Sequence, residues 1–111
     1  MNNLSWEEFE RVEMRVGTIL EAIDFPEAHN PSFQLLIDFG NELGVRKSSA
    51  QITSLYTKEE LKGKQIIAVL NFPKKQIATV MSECLVLGAV DGKSVTLIVA
   101  DKKVKNGLRI M

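Results

Sequence analysis

Scarcity is informative in this chain of 111 residues: it holds one cysteine, one histidine, one tryptophan, one tyrosine and three prolines. A single cysteine cannot close an internal disulfide, so a reducing, cytoplasmic setting is expected. One cysteine and one histidine cannot supply the four ligands of a structural zinc site, and Glu27 with His29 is only a two-ligand fragment. A hydrolytic triad would have to be built on His29, which lies in the Pro-bracketed segment PEAHNP and reads as a surface-loop residue. No apolar run approaches the ~18 residues of a membrane helix. The opening MNNLSWEEFERVEM is acidic and lacks the apolar core of a secretion signal. P-loop, G-x-G-x-x-G and nucleophile-elbow patterns are absent. These absences together predict a non-catalytic protein with no cofactor and no metal.

What is present is a balanced but unevenly charged chain, 45% hydrophobic and 25% charged, with net charge zero. Residues 1–44 carry nine acids against two arginines, net −7, whereas residues 45–80 carry seven bases against two acids, net +5. Such asymmetry marks either an anion-binding face or a solvated surface with chance clustering. The length fits one domain, residues 1–111.

Period and punctuation outline the elements. Ser5-Trp6-Glu7-Glu8 reads as a capping box opening a short helix that ends near Arg11. Trp6 and Phe9 share one face of it, and two turns cannot stand alone, so that face is expected to dock on the body or on a partner. From Val12 the period becomes two, with Val12, Met14 and Val16 on one face and Ile19, Ile23 and Phe25 as the next inward set. The slip predicts a bulge at Gly17-Thr18, bending one long strand so that it serves two barrel edges. FQLLIDFG and VRKSSAQI supply strands two and three, and Thr57 with Glu60 caps a small helix before QIIAVLNF, a strand buried on both faces. Pro73 stops that strand; KKQIATVM is expected as a loop and SECLVLGAV as one strand. Asp91-Gly92 turns into SVTLIVA, and Asn106-Gly107 precedes a short closing strand. Five or six strands with one small helix between strands three and four give an all-β, five-stranded Greek-key barrel, an OB-fold.

Within that frame Cys84 reads as a small buried hydrophobe, with a reactive thiol as the lesser alternative. The paired acids Glu7-Glu8 and Glu59-Glu60 fall in first helical turns, where the dipole accounts for them. Arg46 and Lys47 on strand three and Lys74 and Lys75 after strand four can approach one another, with Ser48, Ser49, Gln51 and Asn71 placed to bond phosphate or ribose. The alternative is solubilising charge on polar strand faces. Few aromatics interleave, so RNA on this patch would be held by shape and backbone rather than by base stacking. A second set, Met14, Phe33, Phe72, Ile77, Val80 and Met81, is either an adaptable apolar surface or the plugs of the barrel ends.

The runs MRVGTI at 14–19, IDFG at 37–40, SSAQIT at 48–53, Y-x-x-E-x-L-x-G-K from Tyr56, and NFP…IA…SE.LVLG at 71–88 resemble the CsaA family. These are small tRNA-binding-domain-like proteins described as export-related chaperones, and the likeness runs from about residue 8 to 111. The wider pattern falls on Arg15, Val16, Gly17, Asn71, Lys74, Lys75, Ser82 and Glu83; Gln76 and Thr79 stand where it carries further bases and a glycine. The resemblance implies an OB-fold homodimer without catalytic activity that binds unfolded or pre-secretory polypeptides, with tRNA binding as the ancestral capability. Expected RNA-binding residues are Arg46, Lys47, Ser48, Asn71, Lys74, Lys75 and Ser82; expected peptide-binding residues are Met14, Phe33, Phe72, Ile77 and Met81. A stand-alone, structure-specific tRNA binder is the alternative.

Overall fold

The computed structural model describes all 111 residues, Met1–Met111. After helix α1 (Trp6–Glu10) the chain runs β1 (Met14–Asp24), β2 (Phe33–Asp38), β3 (Val45–Ala50), α2 (Lys58–Leu61) and β4 (Gln65–Val69). It continues with β5 (Lys75–Ile77), β6 (Val80–Ser82), β7 (Leu85–Val86), β8 (Gly88–Asp91) and β9 (Ser94–Leu97). Five strands form one antiparallel sheet in the order β3-β2-β1-β4-β7, curled into a nearly closed OB-type barrel. Two hairpins, β5-β6 and β8-β9, complete the strands.

The long first strand does serve two edges: Met14–Thr18 pairs with β4, and Thr18–Asp24 pairs with β2. Its bulge lies elsewhere than expected. Register with β4 is unbroken through Gly17-Thr18 and shifts instead between Ile19 and Glu21 against β2, leaving Leu20 as the extra residue. That shift reverses the facing of the residues C-terminal to it, so Ala22 packs on the core and Ile23 is exposed. Gly17 faces inward because the Phe39 ring and Ile37 fill its side-chain position; a Cβ there would meet the ring at 2.6 Å.

Both capping boxes form. The Ser5 hydroxyl accepts from the Glu8 N–H while the Glu8 carboxylate accepts from Ser5, and Thr57 and Glu60 do the same. Serine bonding at this box lowers the Glu8 pKa. The α1 face is covered only in part by the body of the single chain: Phe9 is half-buried, but Trp6 is 81% exposed. KKQIATVM is a β-hairpin rather than a loop, its turn formed with Ala78 at φ +49° and the Gln76 amide donating to the Ala78 carbonyl. With no Gly or Asn in that turn, the sequence carries no hairpin signal. SECLVLGAV is not one strand either, breaking at Leu87 as the chain leaves β4 to pair with β9. The core comprises thirteen buried residues, among them Ile19, Leu35, Ile37, Phe39, Leu61 and Ile66. The closing segment is pinned by Gly107 and Ile110 donating to Val16 and Met14, and by Gln65 bonding both backbone groups of Val104.

Candidate nucleic-acid and polypeptide interface

Strand β3 ends the sheet, and its outer edge meets the β6-β7 connection mostly through side chains. Only one backbone bond crosses the seam, from the Glu83 N–H to the Lys47 carbonyl, at 2.8 Å. The Glu83 carboxylate accepts from the Lys47 N–H at 3.0 Å, and the Ser82 hydroxyl accepts from the Ser49 N–H at 3.1 Å. Ser48, 1% exposed, donates its hydroxyl to the Cys84 carbonyl at 3.1 Å. The Ser-Glu pair of residues 82–83 therefore latches the barrel. The latch also fixes a cation, since Glu83 lies 3.5 Å from the Lys74 ammonium.

The expected RNA-binding residues divide by what their polar atoms do. Asn71 accepts from the Glu13 N–H at 3.0 Å and donates to the Arg11 carbonyl at 2.6 Å, tying the α1–β1 connection to the end of β4. Arg46 is half-buried and donates to the Leu70 carbonyl at 3.3 Å. Asn71, Arg46, Ser48 and Ser82 thus bond the chain's own backbone, Asn71 doing so at the surface. Lys47, Lys74 and Lys75 keep accessible cations; Lys74 and Lys75 head the β5-β6 hairpin, and Lys47 lies across the Glu83 latch from Lys74.

A cleft of about 540 Å³ opens between that hairpin and the β1–β2 loop. Lys75, Ser82, Phe72 and Ile77 line one side, with His29, Asn30, Ser49 and Gln51 on the other. Phe72 is 57% exposed, a large ring held beside cations. Of the expected peptide-binding residues, Phe72 and Ile77 line this cleft, whereas Phe33 is buried in the core and does not reach it. Met14 is half-buried in the ladder with β4, and Met81 is exposed on β6 outside the cleft lining. Leu85 also lines the cleft and was hidden in sequence, because CLVLG does not reveal which of its residues turn outward.

Cys84 lies beneath the cleft. Burial pushes its thiol up to about 11, against a smaller opposing effect of the Ser48 hydrogen bond, so it is neutral and a poor nucleophile near pH 7. No three His, Cys, Asp or Glu side chains converge as metal ligands, and no helix is long and apolar enough to cross a membrane.

Comparison with known proteins agrees with this architecture. Residues 14–109 match the family model described as a putative tRNA binding domain. The structure superposes on chaperone CsaA of Bacillus anthracis with TM-score 0.94 and 44% identity, covering 99% of this chain and all of that one. CsaA of Picrophilus torridus gives TM-score 0.92 at 47% identity, over 98% and 100% of the two chains. The methionine–tRNA ligase of Thermococcus kodakarensis is 36% identical over 110 residues, 99% of this chain but only 14% of that longer protein. The chain belongs to the putative tRNA binding domain family and is of the CsaA type.

Proposed function

We propose that this is a non-catalytic, cytoplasmic, homodimeric protein that holds apolar segments of unfolded or pre-secretory polypeptides and also binds tRNA. The observation that carries this reading is the juxtaposition of exposed Phe72 and half-buried Ile77 with the accessible cation of Lys75 in one open cleft, with Lys74 next to it in the chain. Apolar surface rewards burial of client side chains at about 25 cal/mol per Å². The lysines supply the phosphate-directed attraction that positions RNA without reading its sequence. Similarity to the CsaA chaperones supports the first activity, and the putative tRNA binding domain supports the second.

Dimerisation has its own support. Trp6, Leu4, Leu108 and Met111 are exposed, and Arg109 bonds the Glu10 carbonyl, bringing the closing segment against α1. A twofold interface across that region would cover them and double both binding surfaces. Light scattering at micromolar concentration is expected to give twice the chain mass; a monomer would refute this part.

A stand-alone tRNA binder is the second reading, favoured by the family match over residues 14–109. The test is whether the protein binds a permanently unfolded polypeptide and delays its aggregation at stoichiometric amounts. Binding with delay is expected. Tight tRNA binding with no effect on the polypeptide would leave only the second reading.

A further inference from the structure

Beyond the latch at Lys47 and Ser49, β3 and β7-β8 part around a second cleft of about 660 Å³. Hydrogen bonds account for both of its walls. On β3, the outward-facing backbone groups are those of Lys47 and Ser49, because their N–H groups meet Glu83 and Ser82 rather than β2. The Ser49 carbonyl beyond the latch accepts only a 3.5 Å approach from the Ser48 hydroxyl, and Gln51, next on that edge, makes no backbone hydrogen bond.

The opposite wall alternates in the same way. Leu87 donates to Ile67 of β4, and its carbonyl accepts from Ile98 beside β9. Antiparallel ladders alternate their bonding direction residue by residue, so Val86, Gly88 and Val90 turn their N–H and C=O groups away from β4 and β9, with no backbone partner. Two unpaired strand edges thus border one cleft. Latches close both ends: Glu83 and Ser82 at one, and the Ser54 hydroxyl donating to the Lys93 carbonyl at the other.

The lining selects the occupant. Ala50, Ile52, Leu85, Val86, Val90 and Val95 supply apolar surface, and Lys93 is the only ionisable residue among the lining side chains. One lysine is a poor match for a polyanionic backbone, which needs several cations. An extended polypeptide matches both features, since its own N–H and C=O groups alternate to either side and its side chains alternate between floor and solvent. The geometry points to this second cleft as a strand-docking slot, in which an extended, neutral or acidic segment with alternate apolar residues pairs with β3 at Ser49–Gln51 and with Val86–Val90. Val90, 73% exposed, stands at its rim. Asn30, Ser49, Gln51 and Leu85 line both clefts, so the slot is continuous with the Phe72 cleft.

The inference rests on the polypeptide-binding reading and specifies its mode. The test adds a synthetic peptide of about eight alternating valines and threonines to the full chain and follows amide hydrogen exchange residue by residue. Exchange at Gln51, Val86 and Gly88 is expected to slow about tenfold or more on saturation. A peptide N-methylated at alternate residues is expected to bind about tenfold more weakly, while the protein itself is unaltered. Gln51→Pro, which removes a slot donor, is expected to weaken the unmodified peptide in the same sense. Protection confined to Phe72 and Ile77, or equal binding of the methylated peptide, overturns the slot and leaves polypeptide binding standing. Protection of these amides by tRNA, or by raised protein concentration alone, also overturns it by naming a different occupant. If the peptide does not bind although an unfolded polypeptide does, the slot is wrong; if neither binds, the functional reading itself falls.

Discussion

The β3-β2-β1-β4 ladders and the seam between the outer edge of β3 and β6-β8 are held together differently. In the first, continuous antiparallel registers run six residues along β2-β3 and five along β1-β4, over side chains such as Ile37, Leu35 and Ile66 that are fully buried. Across the seam, Ser82, Glu83 and Ser48 stand in for most of a ladder, and beyond them the edges separate. Both clefts and the exposed Lys47, Lys74 and Lys75 border the seam. A sheet closed by side chains can leave strand edges unpaired at a modest loss of stability, and unpaired edges are what a partner can use.

Substitutions should separate the two regions. Phe39→Ala empties the core over Gly17 and is expected to cost about 3–5 kcal/mol by urea denaturation. Ser48→Ala removes the shorter of two hydroxyl bonds to the Cys84 carbonyl and leaves the Ser82 hydroxyl at 3.4 Å, for about 1–1.5 kcal/mol, and should loosen the seam in hydrogen exchange before the β1-β4 ladder. A uniform loss of protection would mean that seam and ladder open together. Asn71→Ala removes two tethers to residues 11–13, expected at about 1–2 kcal/mol with earlier proteolysis near Arg11. If stability is retained and tRNA affinity alone is lost, Asn71 is an RNA ligand after all. Reversing Lys74 and Lys75 to Glu sets a carboxylate beside Glu83 and should cost about 1 kcal/mol, yet sharply weaken tRNA binding and spare the polypeptide.

Cys84 gives a pH test of the seam. Its pKa is raised in the fold from an ordinary 9.0 to about 11, so the stability it contributes is complete below about pH 9 and is lost as pH climbs toward 11. Urea midpoints of the unaltered protein should decline over that window more steeply than those of Cys84→Ala. Parallel curves would show the thiol to be less buried than its surroundings indicate.

Most of the ladder half was legible in the sequence, because period-two alternation in FQLLIDFG and the apolar run QIIAVLNF leave few alternatives. The bulge was misplaced by a few residues: Gly17 resembles a bulge glycine, but it is there to admit the Phe39 ring. Legibility fell at the seam. The β5-β6 turn uses Ala78 in a left-handed conformation, and short strands such as Leu85–Val86 show no period. That Lys47, Lys74 and Lys75 stand exposed was legible, since a lysine is almost never fully buried without a partner. The intramolecular bonds of Asn71, Ser48 and Ser82 were not legible, because a serine or asparagine that bonds the chain's own backbone looks the same in sequence as one whose polar groups are free. Only their hydrogen-bond partners distinguish them.

In the proposed function, charge on the seam holds RNA while apolar surface and free strand edges hold polypeptide. The most direct measurement titrates tRNA and an unfolded polypeptide against one preparation across about 50 to 200 mM salt. Log affinity for tRNA is expected to fall linearly with log salt, while affinity for the polypeptide holds or rises. Parallel decline of both, or tRNA binding indifferent to salt, would contradict it.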